Sequence, residues 1–247
     1  MQTLSQERLG TRITPSRRVE YISDKDLHVP LRGADSAPLV KLLAQRRIEL
    51  VFDIGAGTGS FASGLRNIGY GGRIISFEPC RSRYSHLHKS ALKDSEWETV
   101  QCALGDHEGI IQMGNHNEIK NHDTANVNIC SKATAVESPE RNEQKDVVVS
   151  RISTLLPAFS GLQEKVFVRI NVPGAELPIL NGARSVIQTV SAFHVRIPLY
   201  ASAHGTTHEK VTRCLKSMDF ECISVVPFEE HDGNVLAFST DATYVRR

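Results

Sequence analysis

The sequence predicts an α/β fold with a doubly wound, mostly parallel seven-stranded sheet and an antiparallel edge at its C-terminal end. Short apolar runs of strand length alternate with stretches whose apolar residues recur at helical spacing, as in a sheet covered by helices on both faces. A glycine-rich turn at residues 55–59 follows the first run. The last two strand-like runs are joined without a helix, which places an antiparallel pair at one edge.

Length and composition indicate one globular domain. The 247 residues are 40% hydrophobic and 23% charged, with a formal net charge of +1. This balance creates no strong field, so a nucleic-acid partner is not expected. Residues 1–35 are polar and mixed, and we expect an arm, a lid, a homodimer contact or a loosely packed leader. Residues 36–247 form the predicted domain.

The cysteine spacing and the hydropathy pattern indicate the compartment in which the protein is expected. The five cysteines show no C-x-x-C spacing, which favours a reducing compartment and argues against a disulfide scaffold or a metal site. The first residues lack the apolar core of a secretory signal, and no apolar run reaches the roughly 18 residues of a membrane span. We therefore expect a cytoplasmic protein with no integral membrane segment and no bound metal.

Hydrophobic periodicity predicts the elements in order. Helices are predicted at 37–47, through 61–68, and at 79–94, 152–159, 176–190 and 208–218. Strands are predicted at 50–54, 73–79, 97–103, 109–113, 146–150, 165–172, 192–197, 220–226 and 235–245. Residues 114–144 are polar with little periodicity, and so long a stretch is uncommon in a compact domain unless it is functional or disordered.

The turn after the first strand carries the strongest chemical signal. Asp53 lies near the end of the strand, and Gly55, Gly57 and Gly59 follow at alternate positions. A dinucleotide-binding G-x-G-x-x-G is excluded because its third glycine would fall on Ser60. The remaining pattern, acid-x-G-x-G-x-G, is that of S-adenosylmethionine-dependent methyltransferases. Asp53 is predicted to pair with the ammonium group of this cofactor or with a bridging water, and the glycines are predicted to let the cofactor approach the backbone.

Two further turns are predicted to complete a cofactor site. Glu78 ends the second strand nineteen residues after Gly59, where an acid accepts hydrogen bonds from ribose hydroxyls. The third strand ends at Ala103 in a turn that includes Asp106, where methyltransferases commonly contact adenine. Asp106 either accepts from the adenine amino group or shapes the turn, and the sequence leaves both open.

The chain resembles the FkbM-type methyltransferase family over roughly residues 48–246. The resemblance rests on the segments 51–59, 75–79, 103–106, 169–176, 180–183, 198–200 and 241–246. It implies a Rossmann-like methyltransferase fold and S-adenosylmethionine as methyl donor. It also implies methyl transfer to a hydroxyl of a sugar, glycolipid or natural-product acceptor, in glycan or natural-product biosynthesis.

The acceptor side departs from that family's pattern. Asn171 stands where the family usually has an acid, and Phe193 where it usually has a glutamate. Asn171 is predicted to orient a hydroxyl or line the methyl-donor pocket. The alternative is a non-catalytic member that binds S-adenosylmethionine and serves as a partner or assembly subunit.

The sequence offers several candidates for a general base. The first is His194, on the strand beside the missing glutamate, although a core histidine is the competing interpretation. The next are His122 and its neighbours His116 and Asp123, in the polar stretch 114–144, where a solvated loop with incidental histidines is the competing interpretation. Glu176 either touches the acceptor or only suits the start of its helix.

Overall fold

The computed structural model describes residues 36–113, 145–161, 164–198, 206–232 and 235–247. The helices are Ser36–Gln45 (α1), Ser60–Asn67 (α2), Arg81–Ala91 (α3), Ile152–Phe159 (α4), Glu176–Asn181 (α5) and His208–Lys216 (α6), with a 3₁₀ helix at Arg184–Thr189. The strands are Leu50–Ile54 (β1), Arg73–Phe77 (β2), Trp97–Val100 (β3), Ala103–Leu104 (β4), Gly109–Met113 (β5), Lys145–Ser150 (β6), Val166–Ile170 (β7), Val190–Pro198 (β8), Phe220–Asp232 (β9) and Val235–Arg246 (β10).

Seven strands form the main sheet in the order β3-β2-β1-β7-β8-β10-β9. The pairs among β3, β2, β1, β7 and β8 are parallel, whereas β10 runs antiparallel to both of its neighbours. The predicted doubly wound sheet with an antiparallel C-terminal edge is therefore confirmed. The order reverses between β1 and β7, and the carboxyl ends of parallel strands at such a switch point form the usual ligand crevice.

In the described part of the chain, α-helices cover both faces of the sheet. Leu50, Phe52 and Ile54 of β1 are buried in one cluster with side chains of α4, α5 and α6. Val51 of β1 is buried in a second cluster with side chains of α1, α2 and α3. Because alternate residues of a strand point to opposite faces, β1 has an apolar residue at nearly every position.

The predicted third strand is shorter than expected, and part of it belongs to a second sheet. β3 ends at Val100, and β4 pairs with β6 in a three-stranded sheet of order β4-β6-β5. Cys102 is buried in the main core, while Ala103 packs with Ile111, Val147 and Val149 under the small sheet. The chain passes from the main sheet to the small sheet between Val100 and Ala103.

The predicted helix over 176–190 is broken into two pieces. α5 ends at Asn181, and a 3₁₀ helix follows from Arg184. Asparagine and glycine are weak helix formers, and Gly182 comes next in the chain. The backbone of Gly182 also lies so close to Gly105 that a Cβ atom on it would stand 2.0 Å from the Gly105 carbonyl oxygen.

No helix in the described part of the chain is both long enough and apolar enough to span a membrane. The predictions for residues 1–35, including the arm, lid and dimer contact, lie outside the described residues. The same holds for His116, His122 and Asp123 in the stretch 114–144.

Candidate functional site

The glycine turn leaves β1 at the carboxyl edge of the sheet. Gly55, Gly57 and Gly59 have φ angles of 75°, 61° and 94°, which side-chain-bearing residues rarely adopt. A Cβ atom on Gly55 would lie 2.3 Å from the carbonyl oxygen of Asn171, so this turn packs directly on the chain that follows β7. A Cβ atom on Gly57 would meet no atom within 4 Å, so the turn is open to a ligand there.

Glu78 ties the glycine turn to the end of β2. Its Oε2 accepts a 2.8 Å hydrogen bond from the Gly57 N–H group, and its Oε1 accepts one of 3.0 Å from the N–H group of Cys80. Burial raises the pKa of Glu78 to about 7, against the lowering effects of Arg83 and of these two N–H groups. Each carboxylate oxygen can accept further bonds, so the group can still receive two ligand hydroxyls.

Asp53 has a partner within the protein. Its side chain is fully buried, and its Oδ1 accepts a 2.6 Å bond from Nη1 of Arg169 on β7. Ser76 on β2 lies 3.5 Å from its Oδ2, and Trp97 Nε1 donates a 3.0 Å bond to Ser76. The Arg169 guanidinium also stacks on the Phe61 ring at 4.4 Å. The predicted role of Asp53 in binding the cofactor stays a prediction.

His194 belongs to a second polar cluster, farther along the sheet. Its Nδ1 lies 3.0 Å from Thr243 Oγ1, and its Nε2 lies 3.8 Å from Asp241 Oδ2. Arg196 donates two 2.8 Å bonds to Asp241. Burial raises the pKa of Asp241, but the bonds from Arg196 and His194 outweigh it, and the pKa lies well below its usual range. In the register of β7 and β8, His194 is the neighbour of Arg169. It therefore lies level with a residue two positions before Asn171.

Asn171 and Glu176 flank the turn after β7. The Asn171 N–H group donates a 2.9 Å bond to the Ile54 carbonyl, which seats this turn beside β1. Glu176 is fully buried at the start of α5, and its Oε2 accepts a 2.9 Å bond from the N–H group of Gly174. Its Oε1 has no hydrogen-bond partner in the described part of the chain.

Burial raises the pKa of Glu176 to about 7, against the lowering effects of main-chain N–H groups and of the Thr206 hydroxyl. Thr206, two residues before α6, therefore lies beside Glu176. Glu176 itself follows β7, at the carboxyl edge of the parallel strands.

The turn after β4 is less closely associated with the residues of the glycine turn. Ala103 is buried in the small sheet, whereas Asp106 is half exposed and pairs with His107 at 2.8 Å. A main-chain bond from Glu78 to the Val100 carbonyl joins the end of β3 to the site. The structure thus brings together Gly55, Gly57, Glu78 and Asn171 by direct contact. No group of three metal-ligating side chains occurs among the described residues.

Arg169 is the residue that the sequence predictions missed. It lies in a strand whose other members are apolar and buried, and its side chain is 9% exposed. A charged side chain in such a strand requires a buried partner of opposite charge. Asp53, on another predicted apolar strand, could have been recognised as that partner.

The sequence model of the methyltransferase FkbM domain matches residues 53–222, more than half of the chain. The chain belongs to the FkbM methyltransferase family. This match confirms the resemblance found in the sequence, and it includes Asp53, the glycine turn, Glu78, Asn171 and Glu176. No curated protein matches the chain.

Solved methyltransferases resemble this FkbM family member in fold. The FkbM methyltransferase of Methylobacillus flagellatus KT is 16% identical, with a TM-score of 0.48, over 78% of this chain and 43% of that one. TrmK of M. capricolum, solved with S-adenosyl-homocysteine, is 10% identical, with a TM-score of 0.49, over 83% and 68%. Precorrin-6y C5,15-methyltransferase of Geobacter metallireducens GS-15 is 13% identical, with a TM-score of 0.45, over 94% and 100%.

S-adenosylmethionine is the expected cofactor of this FkbM methyltransferase. The residues present fit it, because the turn is open at Gly57 and the Glu78 carboxylate faces the same turn. Gly55, Gly57 and Gly59 would let its amino-acid portion lie against the backbone, and Glu78 would hold its ribose.

Proposed function

We propose that the protein is an S-adenosylmethionine-dependent O-methyltransferase that acts on a hydroxyl of a sugar, glycolipid or natural-product acceptor. The observation that supports this proposal most is the arrangement at the switch point of the sheet. An open glycine turn, a buried carboxylate at Glu78 and an uncharged amide at Asn171 meet there through direct backbone contacts.

Each of these groups has a distinct part in the proposed reaction. When bound, S-adenosylmethionine supplies an electrophilic methyl group. Glu78 holds the ribose hydroxyls, and the half-buried Asn171 side chain orients the acceptor hydroxyl through its amide. Asn171 has no basic atom, so the acceptor proton must go to another group or to water.

Glu176 is the group that we propose as proton acceptor. It follows the turn after β7, and one of its carboxylate oxygens has no hydrogen-bond partner among the described residues. Its pKa of about 7 is near the value at which a general base works best at neutral pH. Both nitrogens of His194, by contrast, face protein groups at Thr243 and Asp241.

The first experiment is transfer of a labelled methyl group to a panel of deoxysugar glycans, glycolipids and polyketides. We expect label on an acceptor oxygen of at least one class. Cofactor binding by calorimetry, without transfer to any acceptor, would favour the second candidate, a non-catalytic cofactor-binding subunit. The uncharged Asn171, in place of the family's usual acid, is the observation that favours this candidate.

The second experiment assigns the base. We expect Glu176→Gln to lower kcat by about 10²–10⁴-fold, the usual contribution of a general base, with cofactor affinity unchanged. Wild-type kcat should rise with pH up to about pH 7, because the base acts as the carboxylate. A similar loss in His194→Asn, with little loss in Glu176→Gln, would instead assign that role to His194.

A further inference from the structure

A pocket lies at the opposite edge of the sheet from the glycine turn. It is lined by Arg46, Lys165, Gln188, Ser191, Arg246 and Arg247, which we call the basic pocket. Lys165 immediately precedes β7 and Ser191 lies at the start of β8, while Arg246 ends the antiparallel β10. The amino ends of parallel strands and the carboxyl end of an antiparallel neighbour meet at one edge. The basic pocket is therefore separate from the cofactor site.

The basic pocket concentrates positive charge. Four of its six lining residues are cationic and none is acidic. Arg247 is paired with Glu221 at 3.2 Å, and the Glu49 carboxylate accepts a 3.3 Å bond from the main-chain N–H group of Lys165. Within the described residues, no carboxylate lies within salt-bridge distance of the side-chain cations of Arg46, Lys165 or Arg246. Three of the four cationic side chains therefore have no carboxylate in contact within the described part of the chain.

Arg246 forms a fixed part of the pocket. Its guanidinium donates to the carbonyl oxygens of Val190 and Ile187 and, at 3.3 Å, to Gln188 Oε1, and it stacks on Phe220 at 4.6 Å. All of these partners are uncharged. Burial lowers the pKa of Arg246, with Asp219 offsetting part of this effect. Within the described ranges, the Arg246 guanidinium is thus held in place by uncharged groups, with no carboxylate in hydrogen-bond contact.

Arg46 is held in the pocket by a contact with the main chain of β10. Its Nη1 donates a 3.3 Å bond to the Arg246 carbonyl oxygen, which brings the end of α1 against the end of β10. Arginines elsewhere are often neutralised in contact, as in Arg66 with Asp94 and Arg169 with Asp53, both at 2.6 Å. The basic pocket differs from these two sites, because among the described residues its Arg46 guanidinium has no carboxylate in contact.

We propose that the basic pocket binds a phosphate group of a small ligand. Guanidinium and ammonium groups are the usual protein ligands of phosphate, and charge-assisted bonds of this kind are about twice as strong as neutral ones. The Ser191 hydroxyl and the Gln188 amide can supply further donors. A formal net charge of +1 for the whole chain supplies little overall attraction for a polyanion, so we favour a compact phosphate over a nucleic-acid backbone.

Calorimetric titration of the full chain with inorganic phosphate and with pyrophosphate, at constant ionic strength, tests this site. We expect saturable binding at millimolar concentration or below, and about tenfold weaker binding in Lys165→Gln and in Arg46→Gln. The control is Arg213→Gln, because Arg213 is an exposed arginine on α6 that pairs with Glu209. Its affinity for phosphate should equal that of the wild type.

The same titrations contain the results that would overturn the proposal. Absence of saturable heat with both ligands would do so, as would equal affinities in the wild type and in Lys165→Gln. A short RNA that binds far more tightly than pyrophosphate, in the wild type and in both variants alike, would also contradict it. A soluble sugar phosphate and phosphatidate vesicles, compared as competitors, identify whether the phosphate belongs to a soluble ligand or to a lipid headgroup.

Discussion

Glu78 shows at the residue scale how burial and hydrogen bonding act on one carboxylate. Two main-chain N–H groups hold its oxygens, and its side chain is 2% exposed. The carboxylate that we propose as acceptor for the ribose hydroxyls is therefore oriented before any ligand arrives, so little ordering entropy should be lost on binding. Because the carboxylate is the better acceptor, cofactor affinity should rise with pH up to about 7, the pKa of Glu78.

A substitution at Gly57 tests whether the open side of the turn faces the cofactor. Gly57→Ala retains the N–H group that bonds to Glu78 but adds a methyl group in open space, at a φ of 61°. We expect the cofactor Kd to rise about tenfold, because the methyl group would occupy space that the ligand needs.

Gly69→Ala is the matched control, since Gly69 also has a positive φ, of 84°, after the end of α2. Both variants incur backbone strain of about 1 kcal/mol, so thermal melts should shift similarly. Equal cofactor affinity in the two variants would show that Gly57 does not face the ligand.

At the scale of elements, the main sheet carries polar side chains on one face of its central strands. Ser76, Asp53 and Arg169 stand side by side on β2, β1 and β7, and the register pairs Asp53 with both neighbours. His194 continues the row on β8 and Thr243 on β10. Buried polar groups of this kind are costly when a partner is removed, so the strands depend on one another.

A double-mutant cycle measures this dependence. Arg169→Met leaves the fully buried Asp53 without its partner, and we expect the free energy of unfolding to fall by about 3–5 kcal/mol. The double variant Asp53→Asn, Arg169→Met should be more stable than Arg169→Met alone, because the uncompensated charge is gone. Urea unfolding gives both values, and additive effects would contradict the coupling.

The contact between α5 and the turn after β4 gives a second prediction about elements. Gly182→Ala would place a Cβ atom 2.0 Å from the Gly105 carbonyl oxygen, which belongs to the backbone and has little room to move. We expect a loss of about 1–3 kcal/mol in unfolding free energy, as in other overpacked sites. Gly71→Ala, with no atom within 4 Å of the new Cβ, should change it by less than about 0.5 kcal/mol. A loss as large in Gly71→Ala would contradict the packing argument.

At the scale of the whole molecule, buried acids make stability depend on pH. The pKa values of Glu78 and Glu176 are raised to about 7 by burial, so the folded state binds their protons more tightly than the unfolded state does. Stability from this source is complete below the unfolded pKa of about 4.3 and is lost as the pH rises to about 7. Asp241 acts in the opposite sense, but its lowered pKa confines its effect to more acidic conditions.

Removing one of the two acids should therefore flatten the pH dependence of stability. Between about pH 5 and pH 8, the wild type should lose up to about 3 kcal/mol more unfolding free energy than Glu176→Gln does. Denaturant unfolding at a series of pH values measures this difference directly. Parallel pH profiles for the two proteins would show that Glu176 keeps an ordinary pKa.

Much of the whole fold could be predicted from the sequence, because its signals are local. Apolar runs and helical spacing predicted the main sheet, and the glycine turn predicted where its first strand ends. The position of the switch point became visible only in the strand order. The split at Val100 and the break at Gly182 could not be read in the same way, since they depend on contacts between distant segments. The pair of Asp53 with Arg169 is also non-local, and the pattern around Asp53 alone indicated only a ligand.

The buried pair of Asp53 and Arg169 has a further consequence for how the chain finds its strand alignment. If β7 slid by one residue along β1, Arg169 would point to the opposite face, where Val168 and Ile170 pack against α4, α5 and α6. An unpaired guanidinium would then lie in an apolar layer, and Asp53 would be unpaired on the other face. Apolar strands can tolerate a shifted alignment, but this ion pair gives the two central strands a single acceptable one.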